Sequence, residues 1–216
     1  VKSLGIFKNV KTEISNGSDE SLKVVDIIVE EQPTGEITLA AGVGTSGTTI
    51  GGGITEKNFL GKGQRAKFSL SLSDQRQNFS AGLTQPYLFN RNLTGSFDLF
   101  NNTLTDTSAD QRTKSLGFTS GAGFSSANDF FHNFSYTLQN VETEKLDSND
   151  NKISTDGGKL LSSLGYRISK DTRDNRFNPT SGYYYALSEQ FAGLGGDINY
   201  LSSIVRGSYY LSLIHI

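Results

Sequence analysis

Apolar and polar residues alternate with a period of two along most of this chain, the signature of strands with one apolar and one polar face. The stretch from residue 66 to 73 shows it plainly: Ala66, Phe68, Leu70 and Leu72 fall on one face and Lys67, Ser69, Ser71 and Ser73 on the other. Residues 115–124 repeat it, with Leu116, Phe118, Ala122 and Phe124 opposing Ser115, Gly117, Thr119, Gly121 and Gly123. The pattern predicts ten strands, at 37–45, 48–58, 64–73, 78–88, 93–104, 113–125, 129–141, 159–170, 182–192 and 199–210. Phe68, Leu70, Leu72, Phe118 and Phe124 are expected on the convex, lipid-facing side of one curved antiparallel sheet.

Ahead of this pattern lies a different unit. Strands at 10–14 and 22–30 flank the turn Asn16-Gly17-Ser18-Asp19 and predict a hairpin. Its second strand, Val24-Val25-Asp26-Ile27-Ile28-Val29, carries large side chains on both faces and expects cover from elsewhere. Pro33-Thr34-Gly35 then separates the hairpin from the alternating region.

The connections also alternate in character. On one side three are brief, and the two longest polar loops, 105–112 and 142–158, join them. The other side carries tight turns such as 59–63 and 126–128, with one long exception at 171–181. Long loops on one rim and short turns on the other are the wiring of an outer-membrane barrel. Aromatics cluster near strand ends, at Tyr87 and Phe89, Phe130 and Phe131, Tyr183 to Tyr185, and Tyr209 and Tyr210, as interfacial girdles would.

Composition narrows the choice. Of 216 residues only 19% are charged and 35% apolar, and no run approaches the ~18 apolar residues that a membrane-spanning helix needs. Only a barrel could then cross a bilayer. The polar faces are rich in Ser, Gly and Thr rather than Lys and Glu, which suits a wet lumen better than an exposed soluble sheet. A net charge of −2 with scattered Lys and Arg gives no basic stripe, so no nucleic-acid partner is expected. Zero Cys removes disulfides and thiolate chemistry.

No motif points to catalysis, a cofactor or a metal, and the chain is not expected to be an enzyme. Gly42-Val43-Gly44-Thr45-Ser46-Gly47 matches a dinucleotide fingerprint by letter, but another strand follows where a helix is required, so a hairpin turn is expected. Asp147-Ser148-Asn149-Asp150-Asn151 begins like a calcium loop, then places Lys152 where the glycine belongs and Gly158 where the bidentate Glu belongs. It reads as a solvated loop. His132 has no second His or Cys nearby and is expected to be an interfacial side chain, and no nucleophile elbow accompanies the many serines. The dense charge cluster from Lys170 to Arg176 reads as a salt-bridged turn.

Five segments in order identify a family. Leu4-Gly5-Ile6-Phe7 with Val25 to Gly35, Asn58-Phe59-Leu60-Gly61-Lys62-Gly63, Gln85-Pro86-Tyr87-Leu88, Asp171 to Tyr183, and Ala192 to Asp197 together resemble the BamA family of outer-membrane assembly factors, closest in style to its alphaproteobacterial members. The resemblance implies a mainly β fold: an antiparallel up-and-down transmembrane β-barrel of sixteen strands, of which this truncated chain supplies about ten, preceded by a partial POTRA hairpin. Residues 1–33 would be the remnant of a periplasmic POTRA domain and 34–210 the N-terminal part of the barrel. Val205-Arg206-Gly207-Ser208 looks like the family's plug motif but lies inside a strand, with Ser208 in the aromatic position, and is not matched to it.

The resemblance further implies a place in the bacterial outer membrane, with the N-terminal segment in the periplasm. The expected work is folding and insertion of nascent β-barrel clients, with outer-membrane lipid and the accessory lipoproteins of the assembly machinery as partners. The first barrel strand, Ile37, Thr38, Leu39, Ala40, Ala41, Gly42, Val43 and Gly44, would be the lateral seam, where Gly42 and Gly44 thin the packing and a client strand pairs by β-augmentation. The alternatives are a TamA-like or two-partner-secretion transporter of the same fold, a passive porin, and a soluble all-β binding module. Residues 211–216 are expected not to be biological. The string CTG-TCT-CTT-ATA-CAC-ATC, a transposon-end sequencing adapter, encodes Leu211-Ser212-Leu213-Ile214-His215-Ile216 without a gap.

Overall fold

A computed structural model describes residues 5–19, 21–44, 47–147 and 151–211. Two strands, β1 (Phe7–Asn16) and β2 (Lys23–Glu31), pair as an antiparallel hairpin and form a sheet of their own. Its turn is closed by the Gly17 amide donating to the Leu22 carbonyl at 2.9 Å.

The other ten strands make one antiparallel sheet in which each pairs with its chain neighbours: β3 (Gly35–Gly44), β4 (Gly47–Phe59), β5 (Gln64–Ser73), β6 (Arg76–Gln85), β7 (Thr94–Asp106), β8 (Gln111–Ser125), β9 (Phe130–Leu146), β10 (Lys152–Asp171), β11 (Gly182–Ala192) and β12 (Tyr200–Tyr210). The sheet is unclosed, because β3 and β12 have one neighbour each. All ten expected strands are present, in the up-and-down order expected of a barrel wall.

Register decides the faces, since directly opposed residues share a side. One row runs Ile37, Ile54, Phe68, Ala81, Leu99, Phe118, Leu138 across seven strands. The row Thr55, Lys67, Gly82, Asp98, Thr119, Thr137, Ser163 lies on the opposite face. That face is knitted by small hydroxyls, with Ser69 and Ser80 at 2.7 Å and Thr119 and Thr137 at 2.9 Å. Among the described residues no second layer covers the apolar face, and Phe68 and Leu72 remain 41% and 44% exposed. A single layer with one apolar face needs a nonaqueous neighbour, which a bilayer supplies and a soluble sandwich would supply with a second sheet.

The strands are staggered as a barrel requires. The row that begins at Gly35, the first residue of β3, passes through Ala66, Phe97 and Tyr136 and reaches Phe191, next to the last residue of β11. Nine residues of rise, Gly182 to Phe191, thus accumulate over eight strand steps. That is roughly 30 Å along the strands against roughly 38 Å across them, a tilt of about 40°. β3 begins at the near rim of the sheet and runs to the far rim.

The strand boundaries correct the sequence reading at the far rim. β9 has 17 residues and β10 has 20, so most of the expected loop 142–158 is strand, and only residues 147–151 lie between them. Likewise β7 and β8 extend to Asp106 and Gln111, which shortens the expected loop 105–112 to four residues. A tilted strand needs about 9–11 residues to cross the hydrocarbon layer, so β7 to β10 rise beyond it while the ten residues of β3, β5 and β6 do not. The extension is held by Glu144, which is almost fully buried among cations: Lys114 Nζ and Lys152 Nζ lie 2.8 and 3.4 Å from Oε1, and Arg112 Nη1 3.6 Å from Oε2. The Lys114 hydrogen bond, seconded by Lys152, holds its carboxyl below the usual carboxylate range.

Candidate functional site: an exposed edge strand backed by glycine

The eight expected seam residues, Ile37 to Gly44, all fall in β3, the first edge of the sheet. Every residue of β3 is exposed, with Leu39 and Val43 each at 86%. An antiparallel edge strand turns alternate backbone N–H and C=O groups away from its one partner, so β3 carries a ready template for another strand.

Glycine also backs β3. Thr38, Leu39 and Ala40 lie directly opposite Gly53, Gly52 and Gly51 of β4. Cross-strand side-chain pairs are the main source of pairing energy in a sheet, and three consecutive pairs here have no second side chain. The bare stretch leaves a hollow of about 360 Å³ on the apolar face, lined by Ile37, Leu39, Ile54, Phe68 and Leu70. Polar contacts fasten the near end of β3 instead. Lys57 lies 3.6 Å from Glu36, and the Lys57 amide donates to the Thr34 carbonyl.

A Cβ at Gly42 or Gly44 would meet nothing within 4 Å, so neither glycine serves a close approach among the described residues. Gly51, Gly52 and Gly53 do, since their added Cβ atoms would stand 3.1–3.3 Å from neighbouring backbone oxygens or the Leu39 side chain. The signal was the run Ile50-Gly51-Gly52-Gly53-Ile54 inside a strand pattern, which marks a close backbone approach.

The other expected residues sit as follows. Phe68, Leu70 and Leu72 alternate on the apolar face of β5, and Phe118 and Phe124 share that face on β8. Phe118 stacks on Phe97 at 5.6 Å, and Phe124 on His132 at 5.0 Å. The fingerprint-like glycines lie on either side of the β3–β4 connection and lead into a strand, although Thr45 and Ser46 themselves are outside the described residues. Gly47 has φ +83 and faces the Asp74 carboxylate, which leaves no room for a Cβ. Residues 148–150 of the calcium-like loop and 212–216 at the C-terminus are likewise outside the described set.

At the near rim the charge cluster forms a built turn. Arg173 grips Asp171 through two 2.8 Å hydrogen bonds. Asp174 accepts from the Thr180 hydroxyl and from the Thr180 and Ser181 amides, which together hold its carboxyl down at about 2. Gly182 turns the chain back at φ +101, where an added Cβ would lie 2.3 Å from the Thr172 carbonyl oxygen.

Comparison with known proteins agrees with this architecture. The Omp85 superfamily domain matches residues 58–215. The outer membrane protein assembly factor BamA of Neorickettsia risticii is 25% identical over 99% of this chain and 29% of its own length. The protein of the same name from Nitratidesulfovibrio vulgaris is 28% identical over 96% and 26%. A SAM50-like protein of Drosophila melanogaster is 26% identical over 97% and 50%. The chain thus spans about a quarter to a half of the length of these curated relatives. In three dimensions it follows a crystal structure of BamA from Haemophilus ducreyi lacking POTRA domains 1–3, with a TM-score of 0.80 at 19% identity over 98% of this chain and 44% of that one. The chain belongs to the Omp85 superfamily, and its ten-stranded sheet is part of an outer-membrane β-barrel wall.

Proposed function

We propose that this chain is the seam-bearing part of a β-barrel assembly factor, which folds client barrel proteins into the outer membrane by offering them the edge of β3. The observation that carries the reading is the pairing of Thr38, Leu39 and Ala40 with Gly53, Gly52 and Gly51 on a fully exposed edge strand. In a complete barrel β3 would close against the last strand. An edge with little side-chain pairing behind it can bend away from that partner at low cost. Opening leaves backbone N–H and C=O groups bare, each costing several kcal/mol in hydrocarbon until it is paired. A client strand satisfies them, so recruitment is β-augmentation and no covalent bond is made or broken.

In this reading residues 1–33 are the end of a periplasmic POTRA domain, and the near rim faces the periplasm. Phe68, Leu70, Leu72, Phe118 and Phe124 face lipid. Nascent barrel proteins and the accessory lipoproteins of the assembly machinery are the partners. The test is a cysteine pair joining β3 to the last strand of the full-length protein. Client insertion should stop when the pair is oxidised and resume on reduction, and insertion that continues through the closed seam would refute the assignment.

A further inference from the structure

We propose that the near-rim part of β8 to β11 binds the headgroup of an anionic glycerophospholipid, with Lys170 as the phosphate-pairing residue. The inference rests on the membrane orientation proposed above and is independent of the seam.

Lys170 follows Tyr166 and Ile168 on the apolar face of β10, one residue before the strand ends at Asp171. Its two cross-strand neighbours are both aromatic, Phe130 on β9 and Tyr185 on β11. The ammonium lies 5.0 Å from the Phe130 ring centroid. Among the described residues it makes no ion pair, although Asp129 lies on the adjoining turn and Asp171 is the next residue. Asp171 is instead committed to Arg173 and Arg176 on the other side of the strand. An unpaired cation on a lipid-facing strand end reaches toward the headgroup layer, where phosphate is its natural counter-ion.

The surroundings suit a lipid better than a free ion. Tyr183 and Tyr185 stack at 5.6 Å, and Phe130 meets Tyr185 edge-on at 5.9 Å, forming an apolar wall beside the ammonium. Next to it runs a polar chain in which Ser126 Oγ is 3.0 Å from His132 Nε2 and His132 Nδ1 is 2.9 Å from the Tyr166 hydroxyl. Phe124, His132, Tyr166 and Phe134 form a continuous column of rings at that level. Aromatic rings for the glycerol and upper acyl region, with the Lys170 ammonium beside them at the rim, match the layered chemistry of an interfacial phospholipid. A lipid with net negative charge is favoured, because zwitterionic headgroups carry their own ammonium.

Two measurements on the full-length protein test this. By native mass spectrometry from detergent, the wild type should retain phosphatidylglycerol at least about fivefold better than phosphatidylcholine. Lys170→Gln should erase that preference, and Lys170→Arg should keep it. In nanodiscs, acetylation of wild-type Lys170 should be slower in phosphatidylglycerol than in phosphatidylcholine, with Lys145 on the far-rim extension as the unaffected reference. No headgroup preference in the wild type, a preference that survives Lys170→Gln, or equal Lys170 labelling in both lipids would overturn the proposal. Neither readout involves client insertion, so the seam reading stands or falls separately.

Discussion

β3 and β9 belong to the same sheet and obey the same alternation, yet they are built for opposite ends. β9 has a partner on both sides, 17 residues, and side chains opposed across most rungs. β3 has one partner, ten residues, and glycine opposite its centre. Backbone pairing alone therefore does not set how firmly a strand is held in this wall. β8 to β10 have two neighbours each, side chains across most rungs and a polar extension above the membrane, and β3 lacks all three; in the proposed function this makes β3 the strand able to change partners.

The sharpest way to break this contrast is one substitution placed in both regions. At Gly117 of β8 an added Cβ would lie 2.4 Å from the Leu138 carbonyl oxygen and 2.5 Å from the Gln139 Cβ. Gly117→Val should therefore destabilise the barrel by about 3 kcal/mol or more, read as loss of the heat-modifiable folded band on a gel. Equal folding of this variant and the wild type would show that the wall is not tightly packed there.

A smaller effect is expected above the membrane. Glu144→Gln leaves Arg112, Lys114 and Lys152 facing one another without their shared carboxylate. The far-rim connections at 107–110 and 147–151 should then be cut at least about fivefold faster by added protease, while the ten-stranded sheet stays folded. Unchanged cleavage would remove Glu144 from the role given to it.

Smaller still is a local titration at the near rim. The folded-state value of Asp174, about 2, lies below the ~3.9 of an unfolded Asp, so the carboxylate supports its turn fully above about pH 4. Support is lost as pH falls through about 2. The Thr180 and Ser181 amide signals, whose protons point at Asp174, should shift with that midpoint, and Asp174→Asn should abolish the titration. A midpoint near 4 would mean that these hydrogen bonds do not persist in solution.

The smallest change in stability belongs to Gly42→Val, where a new Cβ meets no atom within 4 Å. Folding should stay within about 0.5 kcal/mol of wild type. If β3 pairs with clients as proposed, any effect should appear in the rate of client insertion, because the added side chain lies on the exposed edge strand. A folding defect as large as that of Gly117→Val would erase the distinction between the two regions.

Much of the wall was legible in the sequence because a bilayer on one side and water on the other force strict alternation, as in Ala66 to Ser73. Where water wets both faces, that force disappears. Glu142 to Leu146 and Lys152 to Gly158 look like polar loop for this reason, and only the ladder between β9 and β10, with Glu144 at its centre, reveals them as strand. That the strand at 37–44 stands at an edge of the sheet was legible by position, as the first of the series. The glycines of β4 that face Thr38, Leu39 and Ala40 were not, because which residues they oppose depends on register. The Ser126, His132 and Tyr166 chain was hidden for the same reason, since 34 residues separate His132 from Tyr166.

The most direct test of β3 as the client-pairing edge is a disulfide scan between single cysteines along residues 37–44 and single cysteines along a client's terminal strand, trapped during insertion. Antiparallel augmentation predicts a ladder: when one β3 position links to a client position, the β3 position two further on links two positions back. Crosslinks without such a register, or crosslinks formed as readily from β9 as from β3, would contradict it.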